Sequence, residues 1–331
     1  MNDIGDQLDA WLQRCPNPQV DPLPGMAESG LQEPAPDYLS IARIKSALVE
    51  RTGLPGVAGV WGGRQVVGRF FIDGFGDAAQ RAMWRGRALS VAISEPKVGA
   101  HPKLLTTQAE ADGDGFRIRG EKAWVSNGPS ADAIIVLAIT SVESGRKRYS
   151  AFVVPRDAAG VTLTEMPGFH ALRPSRHCGL VLDGVRVPRS ALLGAVGSAY
   201  ESMALPFRDV EDAVGTFGLL GVFRFLQRRL SAEGDAARLS LGGLVALSAV
   251  FADAAEAVVE ALDADCLATK SATLVGLRVL AEEWVKRARE HLALSGPAGD
   301  AKIEAAFADI DAMLSVARGP RMARQARLAR V

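Results

Sequence analysis

The spacing of apolar residues changes twice along the chain, and that double change limits the fold more than any other feature. Over residues 1–88, "PDYLSIARIKSALVERTG" carries apolar residues at helical spacing and ends on Gly53, which favours a helix stop. "PNPQVDPLPG" and "LQEPAP" break this zone, because proline lacks the amide proton and clashes with the preceding turn. Over residues 89–195 the pattern becomes short β-rich runs such as "ALSVAISEP", "ADAIIVLAIT", "RKRYSAFVVPRD" and "HCGLVLDGVRVP". Asp112-Gly113-Asp114-Gly115 predicts a hairpin, since glycine tolerates the positive φ of such turns. This zone reads as an antiparallel sandwich or barrel. Over residues 196–331 helical spacing returns in four segments joined by Gly/Asp-rich links, which reads as a helix bundle. The expected class is α+β: an N-terminal helical domain, a central antiparallel β domain and a C-terminal helix bundle.

Charge and cysteine usage narrow the functions. Lys+Arg and Asp+Glu both number 38 in 331 residues, which argues against a chain built to grip nucleic acid. Cys15, Cys178 and Cys266 are far apart, with no C-x-x-C, as expected of a reducing cytoplasm. The stretch "LGGLVALSAVFADAAEAVV" is interrupted by charge and reads as a buried helix rather than a membrane span. His101, His170, His177 and His291 show no metal-ligand spacing, so no metal is expected.

Three segments carry chemistry: "ALSVAISEPKVGAHP", "EKAWVSNG" and "GLVLDGVRVPRSALLG". In this order they resemble the middle domain of the acyl-CoA dehydrogenase superfamily of flavoproteins. The resemblance is best over about residues 80–225 and weak in the flanks, and it implies a trimmed N-terminal helical domain. It implies FAD as cofactor, with Ser94 in the place of the motif hydroxyl that bonds the flavin ring. Trp124 would stack near the ring, and Val125 and Ser126 would offer backbone and hydroxyl bonds to its polar edge. A flavin needs an apolar wall and a few fixed donors, which strand ends supply. The plainer alternative is that Trp124 fills a core and that Ser94 and Ser126 are turn hydroxyls.

The chain departs from the family pattern in several places. The segment usually reading A-G-S-D is Val98-Gly99-Ala100-His101. An R-x-x-F-G motif is replaced by "RRLSAEGDAARLSLGG", and a glycine-rich element by "HLALSGPAGD". Both family elements reach FAD across subunits. The C-terminal glutamate that serves most members as base has Arg318 in its place, and a guanidinium stays protonated. A minority of members carry the base on the first long C-terminal helix. That register falls on Glu211, followed by Asp212 where the family has a substrate-binding arginine. Asp209, Glu211 and Asp212 read equally as first-turn acids favoured by the helix dipole. Arg318, Arg321, Arg324, Arg327 and Arg330 recur every third residue, a stripe that reads first as a solvated face.

The resemblance thus implies α,β-dehydrogenation of an acyl-CoA thioester, with Glu211 taking the α-proton and FAD the hydride. Electrons would pass to an electron-transfer flavoprotein. Two alternatives stay open: a half-site subunit of a heteromeric acyl-CoA dehydrogenase, and a flavin monooxygenase on the same fold. Either a homo-oligomer or a hetero-oligomer with a related subunit fits.

Overall fold

The computed structural model describes residues 4–166, 168–295 and 299–329. Helices come first. α1 (Ile4–Arg14) buries Trp11, whose Nε1 donates to the Pro22 carbonyl at 2.9 Å. α2 (Tyr38–Thr52) starts where the Asp37 carboxylate accepts from the Ser40 amide. It stops at Gly53, in the left-handed region at φ 73°. α3 (Pro55–Val67) opens on a proline that needs no amide partner, and α4 (Ala78–Trp84) opens on a capping box between Asp77 and Gln80.

Eight strands follow among the described residues: β1 (Leu89–Ala92), β2 (Gln108–Asp112), β3 (Gly115–Ser126), β4 (Ala133–Glu143), β5 (Arg146–Pro155), β6 (Val161–Glu165), β7 (His177–Pro188) and β8 (Leu192–Leu193). They form one sheet in the order β6-β7-β3-β2-β4-β5-β8, with β1 added on β4. The expected hairpin joins β2 to β3, with Gly113 at φ 62°. The sheet is mixed, not wholly antiparallel. β1 runs parallel to β4 over four residue pairs, and β2 meets β4 in parallel at Gln108–Ile139. Parallel neighbours need a long connection, and the β2–β3 hairpin, lying between β1 and β4 in the chain, supplies it. Periodicity reports which residues alternate, not which strands pair. The sheet coils over itself, so Phe116 of β3 meets Phe152 of β5 with ring centroids 4.9 Å apart.

The C-terminal helices are α5 (Leu205–Gln227), α6 (Asp235–Asp263), α7 (Ser271–Ser295), α8 (Ala301–Ser315) and α9 (Arg318–Arg327). They share one core with the N-terminal helices. α5 crosses α2 so closely at Gly221 that an added Cβ would lie 2.6 Å from the Ser46 carbonyl oxygen. Phe223 of α5 stacks on Trp284 of α7 at 4.1 Å.

Two expectations change here. α6 is long and apolar enough to cross a membrane by length and composition, but it is not the buried helix its sequence suggested. Leu244, Ser248, Phe251, Ala255 and Val258 pack inward at helical spacing, while Leu239, Val245 and Val250 stand exposed on other sides. The arginine stripe is not simply solvated either. α9 buries no residue of its own, and Arg321 and Arg324 tie it to α5 through ion pairs with Asp212 and Asp209. Arg330 lies outside the described residues, as does part of "HLALSGPAGD".

Candidate active site

The C-terminal ends of β1 and β3 are locked together under one side of a cavity. Glu95, just past β1, is buried and accepts from the Thr106 and Thr107 amides at 2.7 and 2.9 Å and from both threonine hydroxyls. Lys122 of β3, also buried, donates to Glu95 at 3.0 Å and to the Ile93 carbonyl at 3.2 Å. Burial alone would push the Glu95 carboxyl up; the Lys122 ammonium and the Thr107 donors outweigh it and hold the group at about 2. The Ser94 carbonyl takes the Ala123 amide at 2.8 Å, and Ser90 Oγ donates to the Ser126 carbonyl at 2.8 Å. Both strand ends are therefore rigid, which a site needs.

The pairing of β3 with β7 slips between Lys122 and Val125, and Trp124 sits in that bulge with φ 61°. A bulky side chain at positive φ is an outlier that costs about 1–3 kcal/mol and marks a position held for use. The indole is not core filler. It is 52% exposed and lines the cavity, edge-on to Phe169 at 5.6 Å, with His177 at 6.4 Å. Asn127 follows, also in the left-handed region. Its side chain donates to the Gly59 carbonyl at 3.2 Å and accepts from Ser175 at 3.0 Å, joining the strand end to α3.

The cavity holds about 350 Å³, within the range of small-molecule sites. Its floor is α3, with Gly56, Gly59, Gly62, Gly63, Val66 and Val67; its far wall is α5, with Phe207, Glu211, Val214 and Gly218. Ser94, Trp124, Ser126 and Glu211 thus line one cavity. Val125 is not among the lining residues; its side chain is buried in the sheet core, and the contact expected of it is a backbone one. Arg318 stands exposed in a separate groove beside Glu282 and Arg289, away from this cavity.

Glu211 stands where this cavity meets a second one of about 220 Å³ between α5, α7 and α9, lined by Leu274, Leu277, Arg278 and Arg321. Glu211 is exposed to solvent through these openings, although protein crowds it closely on its other sides. Burial pushes its carboxyl up to about 7, and Asp212 adds to this; Lys45, Arg321 and Arg208 oppose it. A carboxyl poised there can accept a proton near neutral pH.

Several site residues carried no signal in the sequence. Lys45 of α2 lines the same cavity, placed there by the packing of α2 against α3 and α5. His177 opens β7, and its Nδ1 is buried without a partner at the cavity wall. Burial pushes its pKa down, and Arg173 adds to that. An orphaned ring nitrogen of this kind is what the polar edge of a ligand would satisfy.

A family model, "Acyl-CoA dehydrogenase, middle domain", matches residues 90–185, the stretch that carries Ser94, Trp124 and Ser126. Over that stretch the chain is similar to the middle domain of the acyl-CoA dehydrogenases. The bovine mitochondrial short-chain specific acyl-CoA dehydrogenase is 33% identical over 133 residues, covering 38% of this chain and 32% of the relative. The match thus spans about a third of that relative's length. Whole-chain likeness is structural. The glutaryl-CoA dehydrogenase of Mycobacterium smegmatis superposes with a TM-score of 0.78 at 22% identity, over 95% of this chain and 89% of that one. The FAD complex of PigA superposes with a TM-score of 0.82 at 15% identity, over 99% and 98%. These likenesses show a shared fold in which helical, β and helical zones follow one another.

Proposed function

We propose that the chain is a flavin-dependent acyl-CoA dehydrogenase that removes hydrogen from Cα and Cβ of an acyl thioester. The observation that carries this reading is that Glu211 faces the shelf made by Trp124, Ser94 and Ser126 across one cavity. The fold relative solved as an FAD complex and the relatives named as acyl-CoA dehydrogenases support the choice of cofactor and substrate.

The residues present fit a flavin. Trp124 offers a flat wall, the Ser94 and Ser126 hydroxyls and the strand-end backbone offer polar partners, and His177 Nδ1 awaits one. A flavin, when bound, supplies the acceptor for a hydride. The chain's own share is proton handling and placement. Glu211 takes the Cα proton onto a carboxylate oxygen, leaving the Cα–H electron pair to form the new double bond as hydride departs from Cβ. The glycine floor of α3 gives the acyl chain room, and Phe207, Val66, Val67 and Val214 exclude water from it. A carboxylate facing the shelf favours this reaction over a monooxygenase on the same fold, which needs no such base.

The exposed side of α6, with Leu239, Val245, Ala246, Ala249 and Val250, favours an assembly in which a second related chain covers it. Such a partner supplies the contacts to the adenosine end of FAD that this chain's departures remove. The same reading places the protein in the cytoplasm, passing electrons to an electron-transfer flavoprotein.

The direct test is the absorbance spectrum of the purified chain. The expected result is flavin bands, present on purification or restored by adding FAD. A chain that stays colourless with excess FAD, alone and with any related subunit, contradicts the reading.

A further inference from the structure

Lys45 is the one lysine or arginine among the residues lining the first cavity, and Glu211 is the one carboxylate. The two do not touch: no ion pair within 4.0 Å joins them, and among the described residues no acceptor is hydrogen-bonded to Lys45. The lysine is nevertheless built into place. Its stem lies on the bare backbone of Gly62, where an added Cβ would come within 2.6 Å of Lys45 Cδ. Any side chain at position 62 would therefore displace the stem. Glycines and valines of α3 make up much of the cavity lining that Lys45 shares. Burial pushes the Lys45 amine down to about 8, and the nearby Glu211 carboxylate opposes it.

A half-buried ammonium with no partner is costly. An acyl chain ending in a methyl group would worsen its position by taking away water. An acyl chain ending in a carboxylate would complete it with a charge-assisted hydrogen bond, while the methylenes rested on Val66, Val67 and Val214. Glu211 and Lys45 line one cavity without touching, so Cα at the first and the far end of a short acyl chain at the second is the arrangement the proposal requires.

We propose that Lys45 is a specificity-determining residue, and that the substrate is an acyl thioester whose chain ends in an anionic group, a carboxylate held by the Lys45 ammonium. This rests on reading the cavity as the acyl site. It adds the class of acyl group that site accepts.

The test compares two CoA thioesters of equal carbon number, one ending in a methyl and one in a carboxylate, over a series of lengths. Calorimetry gives the dissociation constants for the FAD-loaded wild-type chain, Lys45→Met and Lys45→Gln, and flavin bleaching gives reduction rates. The expected result is that the wild type binds the carboxylate-ended thioester about tenfold or more tightly at the best length. Both variants reverse that order while still binding the methyl-ended form. Thermal melts identify a variant that fails to fold, and the wild-type preference then decides alone. Equal wild-type affinities overturn the proposal, as does a loss of affinity in the variants that is the same for both thioesters. The second result would make Lys45 a partner of Glu211 and not of the ligand. If the methyl-ended thioester bleaches the flavin and the carboxylate is not preferred, the specificity proposal falls and the dehydrogenase reading stands. If neither thioester binds, both fall.

Discussion

Two glutamate–lysine couples lie within this molecule and behave in opposite ways. Glu95 and Lys122 form a closed couple in the β domain, 3.0 Å apart, with four further donors on the carboxylate. Glu211 and Lys45 form an open couple between helices, facing one cavity without contact. The residue types are the same, and both lysines are pushed by burial down to about 8. The carboxylates diverge: Glu95 is held at about 2 and Glu211 is pushed up to about 7. The difference lies in satisfaction. Where every lone pair is met, a buried charge is structural and inert. Where the partners are held apart, the same chemistry leaves a proton acceptor and a cation free to meet a ligand.

This comparison is open to attack at the closed couple first. Replacing Lys122 with Met leaves Glu95 buried and uncompensated, so the expected loss is about 3–5 kcal/mol of stability, read by denaturant unfolding. Lys45→Met should cost far less, because no partner is orphaned. A loss for Lys45→Met as large as that for Lys122→Met would erase the distinction.

Acid separates the couples next. Glu95 has its folded pKa depressed, so its stabilisation is complete above the ordinary carboxylate range. It is lost as pH falls toward about 2. Glu211 has its pKa raised, so its ionised form is the costly one in the fold and protonation below pH 7 relieves that cost. Thermal melts from pH 7 to pH 3 in Lys122→Met should therefore lose the acid-sensitive component of the wild type, while Glu211→Gln should retain it.

The smallest effect belongs to the latch of α9. Arg324 and Asp209 are partly exposed, so Arg324→Ala should cost only about 0.2–1 kcal/mol. Its clearer sign is faster amide exchange over α9, which has no buried side chain of its own to hold it. Exchange unchanged in α9 would mean that the ion pairs do not hold that helix.

Much of this architecture was legible in the residues. The switch from helical to alternating spacing gave the three zones, Gly53 the end of α2, and the Asp-Gly turn the β2–β3 hairpin. The motif around Trp124 led to the cavity because backbone and side-chain demands coincide there: a bulge, a positive φ and an exposed indole. Lys45 and His177 were not legible. Lys45 sits in an ordinary amphipathic helix, and it matters only because α2 crosses α5 and Gly62 leaves its stem a groove. The parallel β1–β4 pairing was hidden because period-two patterning is blind to strand direction. The two uses of Arg321 and Arg324 were hidden because a charge stripe looks the same whether water or Asp212 and Asp209 answer it.

The central claim is that Glu211 is the base acting beside a flavin on the Trp124 shelf. Anaerobic mixing of the FAD-loaded chain with acyl-CoA thioesters, methyl-ended and carboxylate-ended, tests it most directly. The account predicts that the wild type bleaches the flavin with a rate that rises with pH through about 7, as the Glu211 carboxyl loses its proton. In Glu211→Gln the rate should fall by roughly 10²–10⁴-fold, with the flavin spectrum and stability kept. Bleaching by Glu211→Gln at the wild-type rate would contradict it.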